Sequence, residues 1–76
     1  MLPYYNLHNL FTISLTLHQL KKARFEAGLK QEDVANILKK PQSYISKIER
    51  GERRLDVMEL KKIADIYKKP LNYFIK

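Results

Sequence analysis

The stretch Gln31 to Gly51, QEDVANILKKPQSYISKIERG, decides how this chain folds. Its apolar residues fall three, four and seven positions apart, which is the spacing of one face of an α-helix. They are Val34, Ala35, Leu38, Ile45 and Ile48. The run Lys39-Lys40-Pro41 interrupts this pattern, and Pro41 disfavours helical backbone at the residue before it. The stretch therefore predicts a helix, a tight turn and a second helix.

Further helices are predicted on both sides of this stretch. The helix before it begins near Thr16, because Thr16 and Gln19 have the spacing of a capping box, and it ends at Gly28. The helix after it begins at Asp56, which has the same spacing to Glu59. The expected buried stripe of this later helix is Val57, Leu60, Ile63, Ala64 and Tyr67.

The ends of the chain complete a predicted compact five-helix, all-α domain over residues 15–76. Pro70 opens a short fifth helix with the sequence LNYFIK, and no strand is predicted. Residues 1–14 contain no Lys, Arg, Asp or Glu. They are expected to form an N-terminal arm or extension: a strand, an extended arm, or an addition that packs on the domain or on a second subunit. The alternative is a poorly ordered terminus.

The composition suggests a polyanionic partner. The 76 residues carry fifteen Lys and Arg against eight Asp and Glu, a formal net charge of +7. Nucleic acid is the first interpretation, an anionic membrane surface the second, and solubility alone the third. The chain contains no Cys, which fits a reducing cytoplasm. No apolar run is long enough to span a bilayer, and a positive signal-peptide region is missing, so we expect a cytoplasmic protein and no membrane partner.

The sequence contains no pattern typical of catalysis or metal binding. His8 and His18 stand apart from any cluster of carboxylates, so no zinc site is expected. A Gly-rich phosphate loop and a nucleophile–His–acid set are both missing. We therefore expect neither an enzyme nor a cofactor, and no small-molecule effector is inferred.

Two linked motifs can be recognised in the chain. The first is Arg24-x-x-x-Gly28-Leu29-Lys30-Gln31-Glu32-Asp33-Val34-Ala35-x-x-Leu38, and the second is Ser43-x-Ile45-Ser46-x-Ile48-Glu49-Arg50-Gly51. Together they resemble the Cro/phage-repressor (XRE-type) helix-turn-helix family, over about Leu17 to Ile75. The resemblance implies a five-helix domain that binds operator DNA as a dimer and regulates transcription. It also implies an internal ion pair between Arg24 and Glu49.

Three positions depart from the family pattern. The family usually has Ser or Thr where Lys30 stands, so a weaker helix cap is expected here. It usually has Gly at the position of Lys39 and an apolar residue at that of Lys40. Because a Lys enters the left-handed backbone region only at a cost, we expect the turn to be reshaped.

The second helix of the motif is expected to bury Ile45 and Ile48 and to turn its polar face outward, where it can enter the DNA major groove. Base readout is assigned to Gln42, Ser43, Tyr44, Ser46 and Lys47. A Gln can make a bidentate contact to adenine, and a Lys can donate to guanine N7 and O6. A merely solvated polar face is the alternative interpretation.

Residues around this helix are predicted to contact DNA phosphates. They are Gln31, Lys39, Lys40, Arg50, Arg53 and Arg54. Free amides at the helix start beside Gln31 suit a phosphate oxygen, and the cations would make affinity fall steeply with salt. Arg53 or Arg54 could instead enter the minor groove.

An apolar C-terminal cluster supplies candidates for a homodimer interface, namely Tyr67, Tyr73 and Ile75. The predicted function is therefore sequence-specific binding of double-stranded DNA by a transcriptional repressor or autoregulator, associated with the nucleoid when bound. A prophage repressor, an antitoxin and a restriction–modification controller all remain open. The alternative function is a protein-interaction module, such as an antitoxin domain that binds a partner through its apolar ends. Peripheral membrane binding is a further alternative.

Overall fold

The fold is all-helical. A computed structural model describes residues 16–75, and within them it contains four α-helices and one short 3-10 helix, where five α-helices were predicted. These are α1 (Leu17–Glu26), α2 (Gln31–Leu38), α3 (Gln42–Glu49), α4 (Val57–Tyr67) and the 3-10 helix (Leu71–Phe74). The predicted N-terminal arm, residues 1–14, lies outside the described residues.

Side-chain capping begins two of the helices. At α4, Asp56 Oδ1 accepts from the Glu59 amide at 2.7 Å, and Glu59 Oε1 accepts from the Asp56 amide at 3.1 Å. This is the predicted capping box. At α2 only half of such a box forms, because a Lys side chain has no acceptor atom. There Asp33 Oδ2 accepts from the Lys30 amide at 2.8 Å, which still satisfies one donor at the helix start.

The start of α1 differs from the prediction. Thr16 makes no side-chain cap hydrogen bond, so the predicted capping box with Gln19 is wrong. The carbonyl of Thr16 accepts from the Gln19 amide at 2.9 Å, and the Thr16 amide donates to the carbonyl of Phe74, also at 2.9 Å. The backbone of the 3-10 helix thus fixes the start of α1. Since the Phe74 carbonyl is used in this way and Ile75 is extended, the last helix stays one short turn.

The core is formed by all five elements and by one loop residue. Its members are Leu20, Ala23, Val34, Ala35, Tyr44, Ile45, Ile48, Leu55, Leu60, Ile63, Ala64, Tyr67 and Phe74. Leu55, in the loop between α3 and α4, is only 2 % exposed, and it anchors this connection. Burying such a side chain stabilises the fold by about 1.5–3 kcal/mol. Val57 was expected inside but is 43 % exposed, because it stands at the outer edge of the first turn of α4.

The sequence Lys-Lys-Pro occurs twice, and both copies form the same turn. The first Lys of each copy, Lys39 after α2 and Lys68 after α4, is left-handed, with φ of 60° and 59°. The amide of the second Lys donates to a carbonyl five residues earlier, at 2.9 Å in the first copy and 3.0 Å in the second. Each Pro, with φ of −69°, precedes the next helix. Lys39 therefore takes the left-handed conformation that Gly would adopt at low cost, so the expectation that this turn is reshaped is wrong.

Gly51 ends α3 where α3 meets α1. Its φ is +75°, and a Cβ at this position would lie 2.9 Å from Leu17 Cδ1. The backbone conformation therefore favours glycine, and any larger residue would also displace the end of the Leu17 side chain. This close approach brings the C-terminal end of α3 against the first turn of α1.

Candidate nucleic-acid interface

The helix α3 buries one face and exposes the other. Ile45 and Ile48 are each 2 % exposed and lie in the core. Gln42, Ser43 and Lys47 are exposed, and Ser46 is half-buried. The apolar spacing read from the sequence therefore sets the orientation of this helix, and a polar surface of amide, hydroxyl and ammonium groups faces outward.

A buried ion pair holds α3 against α1. Arg24 Nε lies 2.7 Å from Glu49 Oε2, and Arg24 Nη2 lies 3.0 Å from Glu49 Oε1. Both side chains are only 6 % exposed. A third guanidinium nitrogen donates to the Leu29 carbonyl at 3.1 Å. The side-chain hydrogen bond to Glu49 raises the pKa of Arg24, and the ion pair couples α1 to α3.

The same carboxylate organises two glutamines on the outer surface. Glu49 Oε1 accepts from Gln31 Nε2 at 3.0 Å, and Gln31 Oε1 accepts from Gln42 Nε2 at 3.3 Å. Because Glu49 can only accept, it fixes which end of the Gln31 amide faces inward. Gln31 in turn orients Gln42. The Gln42 side chain keeps its carbonyl oxygen and one N–H for an external partner, and this pair matches the N6 and N7 edge of adenine.

Tyr44 was predicted to read bases, but the structure places it in the core. It is 9 % exposed, and its hydroxyl donates to Glu59 Oε2 at 3.1 Å. Burial, and then the Glu59 carboxylate, raise the pKa of Tyr44, so the hydroxyl remains a donor. The reason is its spacing, since Tyr44 lies four positions before Ile48 and shares its face. The prediction that Tyr44 reads bases is therefore wrong.

Comparison with known families identifies the fold. A family model described as helix-turn-helix matches residues 20–74 of the chain. The chain belongs to the Cro/C1-type (XRE) helix-turn-helix family. The resemblance predicted from the sequence and the all-α class are thereby confirmed. No match was found among curated proteins. The family is a DNA-binding one and is not typically enzymatic.

Two arginines of this helix-turn-helix protein, predicted to contact phosphates, have acidic partners. Arg50 Nε and Nη2 each lie 3.0 Å from the Glu52 carboxylate, and Nη1 donates to Ser46 Oγ at 2.7 Å. These hydrogen bonds raise the pKa of Arg50 and lower the pKa of Glu52. Arg53 Nη2 lies 3.1 Å from Glu59 Oε2. Both pairs are part-exposed, and pairs of this kind exchange partners at little cost.

The remaining cations of the phosphate set flank α3. Lys39 and Arg54 are exposed and make no ion pair within residues 16–75. The Lys40 ammonium lies 5.3 Å from the centroid of the Tyr44 ring, and the Arg53 guanidinium lies 4.6 Å from it. The Tyr44 ring therefore makes cation–π contacts with one cation that precedes α3 and one that follows it. Sequence reasoning missed this role. The sequence predicted Glu59 as a cap of α4 but not its contacts with Tyr44 and Arg53.

Among the dimer candidates, Tyr67 is not available to a partner. It is 4 % exposed and packs against Phe74 with the ring centroids 6.4 Å apart. Burial raises its pKa well above the ordinary value. It belongs to the inner stripe of α4, so the predicted interface role of Tyr67 is wrong. Tyr73 and Ile75 are half-buried and remain candidates.

Residues 16–75 lack two further features, a membrane-spanning helix and a metal-binding cluster. None of the helices in residues 16–75 has the length and apolar character needed to cross a bilayer. In the same range, no group of three or more His, Cys, Asp or Glu side chains is arranged to hold a metal ion.

Proposed function

We propose that this protein is a transcriptional regulator that recognises a specific double-stranded DNA sequence through the exposed face of α3. The supporting observation is the chain of contacts from Arg24 through Glu49 and Gln31 to Gln42. A buried charge pair orients an exposed amide before any ligand arrives, so little entropy is lost when that amide meets a base. Ser43, Ser46 and Lys47 complete the proposed reading surface, and Gln31 contacts the adjoining phosphate.

The flanking cations would bind the DNA backbone on both sides of the groove. Lys39 and Lys40 precede α3, and Arg50, Arg53 and Arg54 follow it. Arg50 and Arg53 would exchange their carboxylate partners for phosphate oxygens. Each phosphate contact of this kind contributes about −0.9 to the slope of log affinity against log salt.

The protein would act as a homodimer that represses transcription, including its own. A twofold dimer places its two α3 helices on a partly palindromic site, with half-site centres about 34–36 Å apart. Tyr73 lies in the 3-10 helix and Ile75 follows it; both are only partly buried against the core and are the proposed contacts between subunits.

Selection of bound fragments from random duplex DNA tests this function. We expect enrichment of one partly palindromic site with half-sites about one helical turn apart. The enriched site should survive a salt concentration that releases unrelated duplexes. Ser43→Glu on α3 should abolish the enrichment, whereas Ala27→Glu, an equal charge change at an exposed position of the α1–α2 loop, should retain it. Equal affinity for all duplexes, or binding to anionic vesicles alone, would contradict the proposal.

A further inference from the structure

A second surface of the molecule has the character of a binding site and uses no residue of α3. Two adjoining hollows, of about 520 and 640 Å³, share Glu26 and run from the outer face of α1 to the C-terminal end of α4. We call this surface the basic groove. The residues that matter here are Lys21, Lys22, Phe25, Ile37, Ile66 and Lys68. The hollows have the size of pockets that hold ligands of a few side chains.

The floor of the basic groove is apolar and exposed. Phe25 is 62 % exposed and Ile37 is 55 % exposed, values that leave two large apolar side chains in contact with water. The Phe25 ring is not loose, because the buried Arg24 guanidinium lies 4.7 Å from its centroid. Phe25 lines one hollow and Ile37 the other, so each hollow contains one exposed large apolar side chain within polar surroundings, as interaction sites do.

The rim of the basic groove carries excess positive charge. Among residues 16–75, Glu26 is the single acidic residue that lines it, and Lys69 Nζ lies 3.0 Å from Glu26 Oε1. Lys21, Lys22 and Lys68 have no ion-pair partner within residues 16–75. An occupant that complements this surface must therefore bring carboxylates together with an apolar anchor.

We infer that the basic groove binds an acidic, amphipathic segment of another protein. A second copy of the chain is disfavoured, because a twofold contact places the same patch against itself, and both copies of the patch carry a net positive charge. Residues 1–15 contain no Asp or Glu and cannot neutralise the rim. A nucleic-acid backbone would match the charge but leave Phe25 and Ile37 without an apolar partner. Because α1 has ten residues, about 15 Å, a segment that lies along α1 would contact it over about three helical turns or five extended residues.

The first test is selection of peptides from a random display library by the whole chain. We expect the enriched peptides to combine Asp and Glu with one or two large apolar residues. Labelled chain and one such synthetic peptide should then give chemical-shift changes at Phe25, Leu29, Ile37 and Ile66. Neutral or basic peptides, no enrichment, or shifts centred on α3 would overturn the inference. It would also be overturned if the chain self-associates and Phe25→Ala abolishes that association.

Matched charge reversals provide the second test. The double variant Lys21→Glu with Lys22→Glu should weaken peptide binding at least tenfold, whereas Lys61→Glu with Lys62→Glu, an adjacent exposed pair outside the basic groove, should change it less than about threefold at physiological salt. Phe25→Ala should also weaken peptide binding at least tenfold. Because Phe25 is exposed, this variant should remain folded. Equal losses in both charge reversals would overturn the inference. Neither Lys21 nor Lys22 belongs to the proposed DNA surface. The operator affinity of the first variant therefore tests the proposed function separately from this inference.

Discussion

The two Lys-Lys-Pro turns show how one local structure leads to two different elements. The segments KKPQSY, from Lys39 to Tyr44, and KKPLNY, from Lys68 to Tyr73, share the two Lys, the Pro and the Tyr. In both, the Tyr amide donates to the Pro carbonyl at 3.0 Å. The second Lys lies over the Tyr ring in both, 5.3 Å from the centroid in the first and 4.8 Å in the second.

The helix behind each turn is determined by distant partners. The first turn leads into eight residues of α-helix, whereas the second leads into four residues of 3-10 helix. The core holds α3 through Ile45 and Ile48, and α1 holds it through Glu49. After the second turn, the Phe74 carbonyl bonds to the Thr16 amide and ends the helix. Local sequence therefore determines the turn, and tertiary contacts determine the element behind it.

Breaking the Arg24–Glu49 ion pair, which holds α3 against α1, should have the largest effect on stability. Arg24→Met leaves the Glu49 carboxylate buried without its charged partner, and we expect the free energy of unfolding to fall by about 3–5 kcal/mol. Chemical denaturation measures it. The control is Glu26→Ala, which removes the exposed partner of Lys69 beside the second turn and should change stability little. Similar effects of the two variants would show that the buried pair does not hold α3.

Replacing the left-handed lysines tests whether the two turns are equivalent. Lys39→Gly and Lys68→Gly each relieve a non-glycine residue of positive φ, and each should stabilise the fold by about 1 kcal/mol. Thermal unfolding of both variants under one buffer condition makes the comparison. Stabilisation at one position and destabilisation at the other would show that the shared backbone geometry hides different strain.

The two tyrosines sharpen the comparison further. Tyr44→Phe removes the hydroxyl that donates to Glu59 and should cost about 1 kcal/mol of stability. Tyr73→Phe removes a hydroxyl with no hydrogen-bond partner within residues 16–75 and should be close to neutral. The denaturant midpoints of the two variants measure these stability costs. An equal cost would mean that the Tyr44–Glu59 contact contributes no stability of its own.

Replacing the second lysine of each turn should affect DNA binding differently. Lys40→Ala should weaken affinity for every duplex, by less than about tenfold, and reduce the salt slope by about one unit, because one phosphate contact is lost. Lys69→Ala, in the matching position of the second turn, should leave the slope unchanged. Titrations at several salt concentrations measure both. If both variants reduced the salt slope equally, the second turn would contact DNA as well, contrary to this prediction.

Several features of the molecule were accessible from its sequence because their determinants are local. The Lys-Lys-Pro interruption predicted the turn, and the spacing of Ile45 and Ile48 predicted the inward face of α3. The burial of Tyr44 also had a usable signal, which is its four-residue spacing to Ile48. Tyr44 lies between an exposed Ser43 and a buried Ile45, so its neighbours alone did not decide which face of α3 it occupies.

Other features depend on where distant segments meet. Leu55 is buried because the α3–α4 loop folds back on the core, and no periodicity announces this. Glu59 was predicted as a cap, but its contacts with Tyr44 and Arg53 arise from elements 15 and 6 residues away. The link between Gln31 and Gln42 likewise needs the packed arrangement of α2 on α3.

The reading role of Gln42 is tested most directly by the affinities of Gln42→Ala for the selected operator and for a random duplex of equal length. If Glu49 and Gln31 prepare this amide for a base, the variant should lose about 1–3 kcal/mol on the operator and almost nothing on the random duplex. Equal losses on both duplexes, or none on either, would contradict the account of α3 as a reading surface.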